Sequence, residues 1–208
     1  MLDQEHKLSR QVKTLVETDS DLASVDIKIP NYRDGKKVLS LVPKKGQKLD
    51  TCASKYQDYI CCNVKVLKSV SNCPYDCTYC FLQNYLTDGT TTVVKDTDAL
   101  IDEVKEKLES QPWRFFRIGT WELGDSLALE SKTGQAAKLV KEFSKLDNVV
   151  LELKTKSDQV DSLLEVNHLG RTVVSWSLNT DYIIRTEEHK TSSLERRLSA
   201  MKKVADAG

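Results

Sequence analysis

The chain has 208 residues, 39% hydrophobic and 30% charged, enough for one domain with a sizeable buried core. Its 31 lysines and arginines balance 31 aspartates and glutamates, so no global field draws it to nucleic acid or a membrane surface. No run of about 18 apolar residues is present and MLDQEHKLSR lacks a signal peptide's apolar centre, so the expected address is the cytoplasm, with no membrane partner.

The first part of the chain carries little pattern. Leu8, Val12, Leu15 and Val16 outline an amphipathic helix, followed by polar sequence broken by Pro30, Gly35, Pro43 and Gly46. Residues 1–55 are therefore expected to form an N-terminal extension, and residues 56–208 the core domain. Within the extension Lys36, Lys37, Lys44, Lys45 and Lys48 read as a solvated basic face, without the interleaved aromatics that single-strand binding uses.

From Tyr59 the pattern is regular. YICCNVKVLKSV (59–70) predicts a strand that runs straight into a cysteine-rich loop. A helix over DTDALIDEVKEKLES follows, with Leu100, Ile101, Val104 and Leu108 on one face and Asp96 or Asp98 as cap. RFFRIGTW (114–121) is the second strand, and Ala136, Leu139, Val140 and Phe143 mark the next helix. VVLELK (149–154), a short helix around Val160, Leu163 and Leu164, and RTVVSWSL (171–178) continue the alternation. The last helix is expected to open on a capping box of Ser192 with Glu195 and to run through Leu194, Leu198, Met201 and Val204.

Strand and helix alternating about four times predict an α/β fold with a parallel sheet and right-handed crossovers. The strands are nearly continuous apolar runs, as burial on both faces requires. Because the chain stops where a further strand is expected, the fold class is a partial, TIM-like (βα) barrel, truncated at its C-terminus.

SNCPYDCTYCFLQNYL (71–86) gathers three of the six cysteines, Cys73, Cys77 and Cys80, in eight positions. In a reducing cytoplasm, clustered thiols point to metal or catalysis before disulfides. A structural zinc site would need a fourth ligand from Cys52, Cys61, Cys62 or a histidine. A ferredoxin-type electron carrier needs four cysteines for each cubane. Three ligands on a [4Fe-4S] cluster leave one iron open, which suits chemistry at that iron. His6, His168 and His189 show no ligand spacing, and Cys61 and Cys62 alternate across their strand, so buried thiols are the default there.

CxxxCxxC with Tyr79 just before the last cysteine, after the first strand of a βα chain, resembles the signature of radical S-adenosylmethionine enzymes. The wider stretch YICCNVKVLKSVSNCPYDCTYCFLQNYL, with LKTKSDQVDSLL and WSLNTDYIIRTEEHKTSSLERRLSAMKKVADAG, is similar to the spore photoproduct lyase family over roughly Lys44 to Gly208. The resemblance implies that Cys73, Cys77 and Cys80 hold a [4Fe-4S] cluster. Its open iron would chelate S-adenosylmethionine, and an external donor would supply the electron that yields a 5′-deoxyadenosyl radical. In that family the radical splits a thymine dimer, so DNA containing a pyrimidine dimer is an implied partner.

The same resemblance assigns Lys156 and Ser177 to S-adenosylmethionine, with Asn179 beside Ser177 in WSLN. All lie at strand ends, where parallel α/β folds place ligands. Glu122 and Asp125 in WELGD are candidates for the cofactor's ammonium, and Tyr79 for shielding the cluster or carrying an electron. Glu188 and Arg197 also match family positions, a salt bridge within the last helix being the expectation for Arg197. Two departures stand out. RIGTWELGDSLALE contains no cysteine where the lyases have their hydrogen-returning thiol, and Phe81 replaces a second tyrosine. The alternatives are therefore a related radical enzyme with a non-DNA substrate, or a non-enzymatic zinc or iron-sulfur electron-transfer protein.

Overall fold

The computed structural model describes residues 14–17, 32–52 and 63–208. Strand β1 (Thr14–Glu17) precedes a helical turn, α1 (Tyr32–Gly35), then β2 (Val38–Val42), β3 (Leu49–Thr51), β4 (Lys65–Leu67), β5 (Val70–Ser71) and β6 (Asp76–Cys77). Next come α2 (Leu82–Tyr85), β7 (Thr91–Val94), α3 (Thr97–Ser110), β8 (Phe116–Gly119), α4 (Glu130–Thr133), α5 (Gln135–Phe143) and β9 (Val149–Thr155). The remainder is α6 (Asp161–Leu164), β10 (Thr172–Trp176), α7 (Asp181–Glu187), β11 (Glu188–His189) and α8 (Leu194–Ala207).

The main sheet has the order β10-β9-β8-β4-β3. Its first four strands are mutually parallel, and β3 adds an antiparallel edge. Consecutive strands joined by helical crossovers therefore lie side by side, the arrangement of a partial (βα) barrel. Strand β9 encloses one face fully, Val149, Leu151 and Leu153, whereas on its other face Val150 is half-buried, Glu152 is paired with Arg117 and Lys154 is exposed, so the expected burial on both faces is not reached. The three enclosed side chains pack with Phe116 and Ile118 of β8, Leu100 and Val104 of α3, and Leu139 and Phe143 of α5. Burying each such side chain contributes roughly 1.5–3 kcal/mol.

A second sheet, ordered β1-β2-β7-β5, was not foreseen. Leu15 and Val16, expected on a helix, lie instead in β1, which pairs in parallel with β2. A strand with a ready edge to join satisfies its backbone there. Leu8 and Val12 lie outside the described residues, as do Cys61, Cys62 and His6. Of the first expected strand, residues 59–62 lie outside the described residues; among the described ones Lys65–Leu67 pairs in the main sheet and Val70–Ser71 crosses to β7.

The expected basic face is broken up, although Lys45 stays exposed. Lys36 is buried, Lys44 is paired with Glu103 at 3.0 Å, and Lys37 is paired with Asp34 at 2.6 Å. Helix caps follow the sequence with one correction. Asp96 accepts from Ala99 N as expected, whereas α8 is capped by Ser193, which accepts from Arg196 N. Ser192 is already committed, because its hydroxyl donates to Asp158 at 2.6 Å and its N–H to Lys156 O. Ser193→Ala is accordingly expected to cost about 1 kcal/mol, read as a lower urea midpoint with an unchanged slope, while Glu195→Ala costs a few tenths at most.

Candidate cofactor site

The cysteine loop is shaped by its two entrances. Asn72 takes the left-handed conformation (φ 69°), which asparagine tolerates, and its Oδ1 accepts from Cys73 N at 2.8 Å. Past Cys73 the chain forms β6, which pairs antiparallel with β11, and Thr78 N donates to Glu187 O at 2.9 Å. Cys73 and Cys77 are buried and Cys80 is half-buried; with Cys52, these four described cysteines are all free thiols.

All three loop cysteines line one cavity of about 270 Å³. Its other wall comes from successive strand ends: Trp121, Glu122, Gly124 and Asp125 after β8, Lys154, Thr155 and Lys156 at the end of β9, and Ser177 after β10. Gly124 permits the approach of these walls, since a Cβ there would sit 2.8 Å from Asn72 O. Of the site residues expected from sequence, Tyr79, Glu122, Asp125, Lys156, Ser177 and the three cysteines meet here. Asn179 stands one step behind, donating to Glu188 at 2.7 Å and to the Tyr79 hydroxyl at 3.3 Å. His168 and His189 line no part of the cavity.

Asp125 ties the walls together. Its Oδ1 accepts from Leu127 N, Ala128 N and the Thr155 hydroxyl, and its Oδ2 from Lys156 N at 2.7 Å. Burial pushes its carboxyl up, and those bonds oppose the shift. Lys156 itself extends over the Tyr79 ring, 5.7 Å from the centroid. Burial raises both inner thiols. Cys77 is pushed up to about 11, with the nearby Lys156 ammonium working against that rise. A thiolate at either position therefore calls for a strong positive partner, which metal ligation supplies.

Behind Tyr79 lies a buried ion pair. Arg197 and Glu188 have fully enclosed side chains and meet at 2.6 Å. Glu188 also accepts from the Tyr79 hydroxyl. Arg197 further donates to Ser177 O at 2.8 Å, Ser192 O at 2.9 Å and the Thr191 hydroxyl at 2.7 Å. This replaces the expected salt bridge within α8: arginine reaches out of the helix because enclosed carbonyls and a carboxylate need its planar fork. Burial opposes the Glu188 charge, but bonds from Tyr79, Asn179 and Arg197 outweigh it and hold the carboxyl below its usual range. Burial first, then the bond to Glu188, raises the Tyr79 phenol.

Among the described residues no three His, Cys, Asp or Glu side chains stand close enough to hold one metal ion. Cys73, Cys77 and Cys80 are the cysteines that line the cavity, and three thiol donors are the number that a [4Fe-4S] cluster with one open iron would take. Sequence reasoning missed Lys36, whose ammonium lies under the loop, and Asn72. Neither carries a periodic or spacing signal, although an asparagine directly before the first cysteine is the kind of residue that turns a chain.

A family model described as spore photoproduct lyase matches residues 11–208. Spore photoproduct lyase of Bacillus subtilis (strain 168) is 27% identical over 183 residues, 86% of this chain and 51% of its own length. The Clostridium acetobutylicum enzyme is 26% identical over the same span. Among solved structures, a cysteine-to-alanine variant of spore photoproduct lyase with dinucleoside spore photoproduct superposes with a TM-score of 0.80 at 25% identity. It covers 91% of this chain and 55% of that one. A double variant with bound AdoMet and dinucleoside spore photoproduct gives 0.78, covering 91% and 54%. The chain thus spans about half the length of the curated relatives it matches. With a family match that runs from residue 11 through every element of the cavity wall, this chain belongs to the spore photoproduct lyase family.

Proposed function

We propose that the chain is the cofactor-binding half of a radical S-adenosylmethionine enzyme of spore photoproduct lyase type, working in the cytoplasm. One observation carries this reading: Cys73, Cys77 and Cys80 share a cavity with polar residues from three consecutive strand ends. A [4Fe-4S] cluster held there by Cys73, Cys77 and Cys80 would, with S-adenosylmethionine, supply radical abstraction of hydrogen from a substrate C–H bond.

The remaining residues bind and orient. Lys156 offers its ammonium to the cofactor's carboxylate, and Ser177 and Glu122 accept from its amino group. Asp125 fixes the backbone of Lys156 through their 2.7 Å bond and lends negative charge to the same wall. Asn179 and Glu188 hold the Tyr79 hydroxyl, so the ring stays across the cavity mouth and limits water access. Residues 56–208 form the core of this unit, and residues 1–55 extend it. An external protein supplies the electron.

The substrate that the relatives' structures support is a pyrimidine dimer in DNA. A second reading rests on the missing thiol. With no cysteine between Arg117 and Glu130 and with Phe81 beside Cys80, hydrogen return takes another route or the substrate is not DNA. The test is anaerobic reconstitution with iron and sulfide, followed by dithionite, S-adenosylmethionine and an oligonucleotide carrying spore photoproduct, with the Bacillus subtilis enzyme as positive control. Formation of 5′-deoxyadenosine, methionine and repaired thymines supports the reading. Cofactor cleavage without repair moves the substrate away from DNA, and a colourless protein holding one zinc ion rules out the cluster.

A further inference from the structure

Lys36 is a lysine with almost no contact with water: its side chain is 1% exposed. A buried ammonium persists only where it is paired and hydrogen-bonded. Apart from the Tyr32 ring, whose centroid is 5.4 Å from Nζ, its partners belong to the cysteine loop. Nζ donates to Cys73 O at 3.2 Å and to Tyr75 O, and lies 3.8 Å from Asp76 Oδ1. Asp76 does not cancel this charge alone, because it is shared with Lys190 at 3.6 Å and Arg33 at 4.0 Å.

The turn that carries Lys36 grips the loop at both ends. The Tyr32 hydroxyl shares its single proton between Asn72 Oδ1 at 3.1 Å, before the first cysteine, and Leu82 O at 3.3 Å, after the last. The turn is seated closely, for a Cβ on Gly35 would stand 2.8 Å from Gly89. Residues before the core domain therefore close around the segment that carries all three cysteines.

We propose that Lys36 is a positioning residue for the cluster loop, fixing its carbonyls and setting a buried positive charge behind the thiolate ligands that favours one-electron reduction of the cluster. The second half rests on the proposed function; the first does not. A cluster bound by three thiolates would be anionic and gain a further negative charge on reduction, so a buried cation that Asp76 compensates only in part stabilises the reduced form more than the oxidised one.

Three variants separate clamp from charge. Lys36→Met removes both, Lys36→Gln keeps a donor without the charge, and Tyr32→Phe removes only the hydroxyl that grips the loop ends. In the cluster-free protein, Lys36→Met and Tyr32→Phe are expected to speed amide exchange of residues 72–82 by about tenfold, Lys36→Gln by less. In the reconstituted protein, titrated with dithionite and followed by electron paramagnetic resonance, Lys36→Met and Lys36→Gln are expected to shift the cluster's potential downward. Tyr32→Phe leaves it unchanged. Unaltered exchange in Lys36→Met and Tyr32→Phe overturns the clamp, and an unaltered potential in both Lys36 variants overturns the charge role. A wild-type chain that takes up no cluster overturns the functional reading and the charge role together, while the exchange measurement still decides the clamp. Should Lys36→Met fail to fold, Lys36→Gln and Tyr32→Phe give both answers.

Discussion

Cys77→Ala is expected to reduce the iron retained after reconstitution from about four atoms per chain to background, with loss of the brown colour. The thiol lines the cavity, but the position is also held by main-chain pairing: Cys77 stands opposite Glu188 in β6 and β11. Those backbone bonds survive the substitution, and the buried thiol behaves as a small apolar group when no metal is bound. The fold should therefore persist at a cost of about 1 kcal/mol. Cys52→Ala serves as the matched control, because Cys52 lines no part of the cavity and should keep full iron. Equal iron in both variants, by metal analysis of the purified proteins, contradicts the ligand assignment.

Arg197→Met is expected to be the most destabilising single change around the site, by roughly 3–5 kcal/mol, because it leaves a buried carboxylate without its partner. Glu188 would keep its bonds from Tyr79 and Asn179 but lose the 2.6 Å ion pair. The carbonyls of Ser177 and Ser192 would lose a donor as well. The pH dependence has a definite sign. The Glu188 carboxyl is held low in the folded protein, so its contribution is complete above the unfolded glutamate range, about 4.3, and is lost as pH falls through the lower folded value. In the variant the lone carboxylate gains by protonation, so the deficit is largest near neutral pH and narrows toward pH 4. Urea unfolding at the two pH values measures this. Pairing Arg197→Met with Glu188→Met should recover part of the loss, since an apolar pair replaces a broken ionic one.

The elements that repeat locally were readable from sequence. Helices α3 and α5 show their buried stripes at 3.6-residue spacing, and β9 its apolar run, because one element's period depends on its own residues. The cysteine loop was readable for the same reason, three ligands lying within one short segment. Strands β1, β2 and β7 were not, since each is defined by a partner that lies more than 20 residues away or beyond a helix. Lys36 reads as one more surface lysine until the loop closes over it. Arg197 has no acidic residue three or four positions away along α8, and only the return of β11 beside the cysteine loop supplies Glu188. Burial of charge is a tertiary outcome, and no spacing encodes it.

Electron paramagnetic resonance of the reduced, reconstituted chain tests directly whether cluster and cofactor share one site. The spectrum is expected to show a reduced [4Fe-4S] signal that changes on addition of S-adenosylmethionine, as the proposed ligation of the open iron requires. Lys156→Ala should weaken that response several-fold in cofactor concentration without removing the signal, a loss on the order of 1–2 kcal/mol for a charge-assisted contact. A cluster signal indifferent to S-adenosylmethionine, or a chain that binds no iron at all, would contradict a shared site for cluster and cofactor.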